Sequence, residues 1–280
     1  MIDIHTHLMP SGCFSEEFIR EASLMRKDTT IQLETLPEHH WAAMEGVERA
    51  VVLAMRFLHL SVNVTNDAVS AYVRQHPDRL VGFMGLDPGE PDAIGEMERA
   101  YYDLGMRGIK MSPIYQNFHP SDPRAREIFS RAEKLGLPIL FHQGATFPRR
   151  APLKYAMPYL LEDVALEFPE LRMVIAHLGH PWEHETIVLI RKQPNVYADL
   201  SALFYRPWQF YNSMVLAQEY SVQSKLLFGS DWPVATPLDT AKGIRNVNHL
   251  VEGTRLPRVS AEVIEEILSR DGLEVLGIPR

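Results

Sequence analysis

Apolar residues in this chain come in short, nearly unbroken runs, and between the runs they recur at helical spacing. The first run, Ile2-Asp3-Ile4-His5-Thr6-His7, alternates in polarity. Side chains two apart on a strand share a face, so this run is expected to turn Ile2 and Ile4 one way and Asp3, His5 and His7 the other. Further strands are predicted at Arg49 to Met55, Leu80 to Leu86, Gly108 to Met111, Pro138 to His142, Arg172 to His177, Asn195 to Asp199 and Lys225 to Asp231. Helical patterns separate them: Leu36 to Glu48, Val62 to His76, Asp92 to Leu104, Pro123 to Leu135, Met157 to Phe168, Glu183 to Lys192 and Trp208 to Tyr220. Helices at Leu238 to Val251 and Ala261 to Ser269 finish the chain. Pro37 suits a first helical turn, and Gly105 and Gly136 suit C-terminal caps. The segment Ser15 to Thr35 is too long for a tight connection and reads as a candidate lid or substrate loop.

Continuous apolar strands alternating with helices indicate a parallel sheet covered on both faces. Eight such units favour closure, so the pattern predicts an α/β fold of the (β/α)8 TIM-barrel type, one domain over residues 1–280. Composition leaves this picture intact, with 46% hydrophobic and 23% charged residues, an ordinary globular balance. Charge narrows the partners: a net charge of −8 with no long basic run argues against nucleic acid. Cys13 is the only cysteine, which excludes an intrachain disulfide and thiolate metal clusters. No apolar run approaches the roughly 18 residues of a membrane span, and no leader pattern precedes Ile2; the expectation is a cytoplasmic protein with no membrane partner.

Candidate chemistry lies where the strands stop. His5 and His7 end the first strand, Lys110 lies in the fourth, His142 and His177 end the fifth and sixth, and Asp231 ends the eighth. In a parallel barrel these ends share one rim. Singly, each has a structural explanation: a buried histidine can be satisfied in a core, Lys110 can pair with a carboxylate, and Asp231 can cap the turn at Trp232-Pro233. Together on an apolar rim, without a common partner, they would leave several polar groups poorly solvated at about 1–3 kcal/mol each. A metal ion removes that difficulty, and neutral imidazole with ionised carboxylate suits a borderline cation such as zinc.

These residues carry a family resemblance. The set His5-Thr6-His7, Gly108-Ile109-Lys110, Leu140-Phe141-His142-Gln143-Gly144, Ile175-Ala176-His177-Leu178-Gly179 and Phe228-Gly229-Ser230-Asp231-Trp232-Pro233 resembles the amidohydrolase superfamily. More narrowly it is similar to the amidohydrolase-related group that contains aminocarboxymuconate-semialdehyde decarboxylase and many small metal-dependent hydrolases. The resemblance implies that His5, His7, His142 and Asp231 ligate one divalent ion, usually zinc. It also implies that His177 stands beside the activated water as general base or hydrogen-bond donor, with Asp231 able to take a proton. Lys110 departs from the decarboxylase pattern and falls where two-metal amidohydrolases place a carboxylated bridging lysine; the reading adopted is one metal, with Lys110 holding a substrate carboxylate.

Arg149 and His180 are added as substrate-binding candidates, with Arg150 and Arg206 as further cations near the mouth. Tyr115, Phe118, Phe147 and Trp232 lie on loops of the same end and suit an unsaturated substrate. His39, His40, His59 and His119 have no strand-end placement and are read as surface residues. The favoured activity is hydrolysis of an ester, lactone or amide in a small carboxylated molecule, because Lys110 adds a cation or a second-metal bridge to a site that generates hydroxide and a compact chain is expected to leave the rim open to water. The alternative is metal-dependent nonoxidative decarboxylation of an aromatic or muconate-type acid. The only partner predicted is that small-molecule substrate, a carboxylic acid derivative; a homo-oligomer is compatible with the sequence.

Overall fold

A computed structural model describes residues 1–22, 26 and 30–279 of the protein. Ten strands occur among them: β1 (Ile2–His7), β2 (Arg49–Leu53), β3 (Met55–Phe57), β4 (Val62–Val64), β5 (Leu80–Gly85), β6 (Gly108–Met111), β7 (Ile139–Phe141), β8 (Met173–Ile175), β9 (Val196–Asp199) and β10 (Leu226–Leu227). Eight of these form one parallel sheet in the order β1-β2-β5-β6-β7-β8-β9-β10. The sheet closes on itself: Ile4 N–H donates to Phe228 O (3.1 Å), Asp231 N–H to His5 O (2.8 Å) and His7 N–H to Trp232 O (2.9 Å). The predicted TIM barrel is therefore present, and every strand feeds its C-terminal end to one rim.

Alternation along the strands separates two apolar layers. Val51, Leu53, Val81, Phe83, Leu140, Val174 and Leu227 point inside and meet Leu273, Leu276 and Ile278 from the C-terminal segment. A short helix not foreseen in the sequence, Gly272–Val275, thus plugs the barrel floor. Their neighbours Ala50, Val52, Met84, Ile109, Ile139 and Met173 face the helices.

Strand β1 breaks the simple alternation. Between the pairs Asp3↔Ala50 and Thr6↔Val52, β1 advances three residues while β2 advances two. One extra residue in β1 is a bulge, which resets the facing of the residues after it. Ile2 and Ile4 lie in the interior cluster, and His5 and His7 enter the barrel as well. The expected shared face of Asp3 with the histidines is corrected: Asp3 stays behind the bulge, accepting from the backbone N–H of His5 (3.0 Å) and Ser230 (3.1 Å). Burial pushes its carboxyl up to about 7.

Other boundaries differ for local reasons. The helix expected from Val62 is preceded by a hairpin of β3 with β4, where buried Val62 and Val64 flank exposed Asn63. Thr65 then caps the helix Asn66–Val73, its side chain accepting from Ala68 N–H at 3.2 Å. The helix at Pro37 stops at Ala43. The segment from Met157 begins as a 3-10 turn, Pro158–Leu161, and the helix from Pro237 ends at Arg245. Within the candidate lid a helix forms at Glu16–Ala22; residues 23–25 and 27–29 of that segment lie outside the described residues. Among the described residues no helix is long and apolar enough to cross a membrane.

Packing across the barrel predicts one stability effect. Gly108 pairs with Phe83 on the neighbouring strand, and a Cβ at Gly108 would lie 2.5 Å from Phe83 Cζ. Gly108→Ala should lower the urea-unfolding free energy by about 1–3 kcal/mol. Adding Phe83→Leu should recover part of that loss; a simple sum of the two single effects would show that the ring contact is not the cause.

Candidate metal centre

The bulge and the sheet closure bring the ends of the barrel strands to one buried point. His5 Nε2 lies 3.2 Å from His7 Nε2 and 3.3 Å from Asp231 Oδ1, and His7 Nε2 lies 3.2 Å from the same oxygen. Lys110 Nζ, from β6, is 3.4 Å from His5 Nε2, and His177 Nε2 is 3.9 Å from Asp231 Oδ2. Atoms of His5, His177 and Asp231 all lie within 4.8 Å of one another. His177 (φ +55°) and Asp231 (φ +60°) adopt the left-handed region, rare for residues with a Cβ. Such conformations cost about 1–3 kcal/mol each and persist where surrounding structure enforces them.

Asp199, at the end of β9, is the functional residue that the strand-end survey passed over. Its Oδ2 accepts from His5 Nδ1 at 2.9 Å, while Oδ1 accepts from the backbone N–H of His177 and Ser201, each at 3.0 Å, and from the Ser201 hydroxyl. Because the carboxylate only accepts, His5 carries its proton on Nδ1 and presents a lone pair at Nε2. The Ser201 hydroxyl, its proton already committed, accepts from His177 Nδ1 at 2.7 Å, so His177 also presents a lone pair at Nε2. The signal was available, since Asp199 ends a strand as the other donors do.

Electrostatics follow from burial. Burial pushes His177 down to about 4 against the pull of Asp231, and it lowers His5 and His7, with Lys110 adding to the effect. The imidazoles are neutral at pH 7. Burial alone would raise Asp231 and Asp199, but their contacts with His5 and His177 hold both below the ordinary carboxylate range. Lys110 is pushed down to about 8 by burial, with Asp231 and Asp199 opposing.

Above this point lies a cavity of about 260 Å³ bounded by Tyr115, His142, Thr146, Phe147, His177, His180, Tyr205, Arg206 and Asp231. A second chamber of about 80 Å³ reaches His5, His7 and Lys110 and is also lined by Phe14, Phe18 and Leu33. His180 lines the outer cavity with Nδ1 2.8 Å from Glu183 Oε1, and Arg206 lines it with its guanidinium 4.6 Å from the Tyr205 ring centroid. The structure does not bring Arg149 into either cavity: it is exposed, with its backbone N–H on Glu21 Oε2 at 3.0 Å. Arg150 is exposed beside Glu17. Tyr115 and Phe147 border both chambers, whereas Phe118 and Trp232 are buried and border neither.

The amidohydrolase family model matches residues 2–270. The chain belongs to the amidohydrolase family. A curated relative, 2-amino-3-carboxymuconate-6-semialdehyde decarboxylase of Dictyostelium discoideum, is 24% identical to this amidohydrolase over 96% of its chain and 78% of the relative. Two solved structures share the fold across 99–100% of this chain. One is a probable 2-pyrone-4,6-dicarboxylic acid hydrolase of Acinetobacter baumannii with citric acid bound (TM-score 0.70, 19% identity, 99% of both chains). The other is a dihydroxybenzoic acid decarboxylase of Polaromonas with bound manganese (TM-score 0.65, 16% identity, 100% of this chain and 97% of that one).

The donor set of this amidohydrolase fits a divalent ion on its own geometry. Bonds of about 2.0–2.1 Å around a tetrahedral ion set donor atoms about 3.3–3.4 Å apart. The Nε2 atoms of His5 and His7 and Asp231 Oδ1 form a triangle with sides of 3.2–3.3 Å. The Asp199 brace on His5 is the outer hydrogen bond that orients metal-binding imidazoles. His7 lacks such a brace, its Nδ1 being buried with no partner among the described residues. His142 points Nε2 at Ala145 O (3.1 Å), which leaves Nδ1 as the nitrogen able to ligate.

Two substitutions test the geometry. Elemental analysis should find one equivalent of divalent metal in the purified protein and none in His5→Ala/His7→Ala. Asp199→Asn should weaken metal binding about 10–100-fold by removing the brace on His5; unchanged affinity would mean that Asp199 does not orient the ligand.

Proposed function

We propose that this amidohydrolase is a metal-dependent carboxy-lyase that removes CO2 from a small, planar, unsaturated acid. The observation that carries this reading is the lining of the cavity beside the donors, where Tyr115, Phe147, Tyr205 and Arg206 gather with His177 and Asp231. A carboxy-lyase benefits from apolar surroundings that limit competing water chemistry, and aromatic side chains line both chambers over the donors. Tyr115, Phe147 and Tyr205 supply ring faces for a flat substrate, and Arg206 supplies a guanidinium for an acidic group at the mouth. The relative named as a decarboxylase, matched over 96% of this chain, supports the same branch.

In this reading His5, His7 and Asp231 hold the ion, with His142 as a further ligand through Nδ1. When bound, the ion supplies positive charge that orients the substrate and stabilises the electron pair left on carbon when CO2 departs. The chain's residues handle the proton. His177 is neutral at rest and presents Nε2 to the cavity, where it can carry a proton to the substrate. As the carbon–carboxylate bond breaks, a proton that His177 Nε2 takes up from solvent passes to the carbon, so that one carboxylate anion and one proton yield CO2 and the shortened product. Ser201 keeps His177 oriented through Nδ1.

A hydrolytic reading is favoured by one feature, Lys110, whose amine lies 3.4 Å from His5 Nε2 and so adds a cation beside the donors. The experiment that separates the two supplies metal-loaded protein with hydroxybenzoates, carboxymuconate-type acids and lactones of small diacids in oxygen-18 water. The proposal expects CO2 without labelled product; label in the product without CO2 contradicts it. His177→Asn should keep its metal and lose about 10²–10⁴-fold in kcat.

A further inference from the structure

Behind β1 lies a buried polar cluster that the chemistry above does not use, built around a histidine read as a surface residue in the sequence. His40, in the helix Pro37–Ala43, is completely buried because that face of the helix turns toward the barrel wall. Thr6, between His5 and His7, pairs with Val52 of the outward-facing layer and so points away from the interior. The Thr6 hydroxyl donates to Val51 O at 2.6 Å and lies 2.8 Å from His40 Nε2, while His40 Nδ1 lies 2.8 Å from the Tyr72 hydroxyl. With the Thr6 proton committed to Val51, His40 Nε2 donates to Thr6, and Nδ1 accepts from Tyr72. Each proton has one destination, so the cluster has one arrangement. His40 also meets the Trp232 ring at 5.1 Å and 87°.

Those contacts reach both stretches that supply the donor triangle. Thr6 lies between His5 and His7, and Trp232 follows Asp231 and bridges back to Thr6 across the sheet closure. We infer that His40 is a positioning residue for the metal centre, fixing from behind the barrel wall the spacing of His5, His7 and Asp231. Packing alone does not call for histidine here, since an apolar ring would fill the space without desolvating two nitrogens. An apolar ring would not hold the Thr6 oxygen at a set distance and direction. The site is sensitive to such a change, because metal–ligand distances must hold within about 0.2 Å.

The inference rests on the metal-binding reading, and one titration separates the two. Metal-free wild type, His40→Phe, His40→Gln and Tyr72→Phe are titrated with zinc against a chromophoric chelator, and the unfolding of each metal-free protein is measured alongside. His40→Phe should bind zinc at least about tenfold more weakly, His40→Gln should recover part of the loss by offering a donor and an acceptor, and Tyr72→Phe should fall between wild type and His40→Phe. Wild-type affinity in folded His40→Phe overturns the inference, whatever its unfolding shows. If His40→Phe does not fold, wild-type affinity in Tyr72→Phe overturns it instead. Failure of wild type itself to bind zinc overturns the metal reading first.

Discussion

One buried carboxylate orders the protons of the site. Asp199 accepts from His5 Nδ1 on one oxygen and from Ser201 and the His177 backbone on the other. An ionised carboxylate cannot donate, so these bonds leave His5 and His177 each with a lone pair at Nε2. Both lone pairs then point toward Asp231, at 3.3 Å and 3.9 Å. A site that binds a cation through one imidazole and moves a proton through another needs that arrangement. The interaction spans 194 positions between His5 and Asp199, so only closure of the barrel can make it.

Closure is in turn a property of β1. The extra residue between Asp3 and Thr6 lets Ile4 remain in the barrel floor while His5 and His7 enter the interior above it. The same stretch carries the hydrogen bonds to the segment after β10 that complete the sheet and place Asp231 beside the two histidines. Asp3, kept apart from His5 and His7 by the bulge, serves that seam by accepting from the backbone N–H of His5 and Ser230. Stability of the fold and geometry of the site therefore draw on the same few residues.

Much of this was legible in the sequence. Short apolar strands that end in histidine or aspartate located the rim, since apolar runs and the polar residues that end them are local features. What escaped depends on tertiary contact. Alternation in Ile2 to His7 looks the same with or without a bulge, because only the partner strand reveals the extra residue. His40 carries no local mark of burial; its helix is short, and its inward face is set by Thr6 and Trp232. Arg149 sat in a plausible loop, yet its backbone bond to Glu21 goes with an exposed side chain. The β3–β4 hairpin did have a local signal in Val62-Asn63-Val64 followed by the cap Thr65, which the helical reading overrode.

The central claim is that His5, His7 and Asp231 hold one divalent ion at the end of the barrel. The most direct measurement is diffraction from zinc-loaded crystals on both sides of the zinc absorption edge. The account predicts one anomalous peak within about 2.0–2.2 Å of His5 Nε2, His7 Nε2 and an Asp231 oxygen. A peak away from these atoms, or none there at full occupancy of other sites, would contradict it.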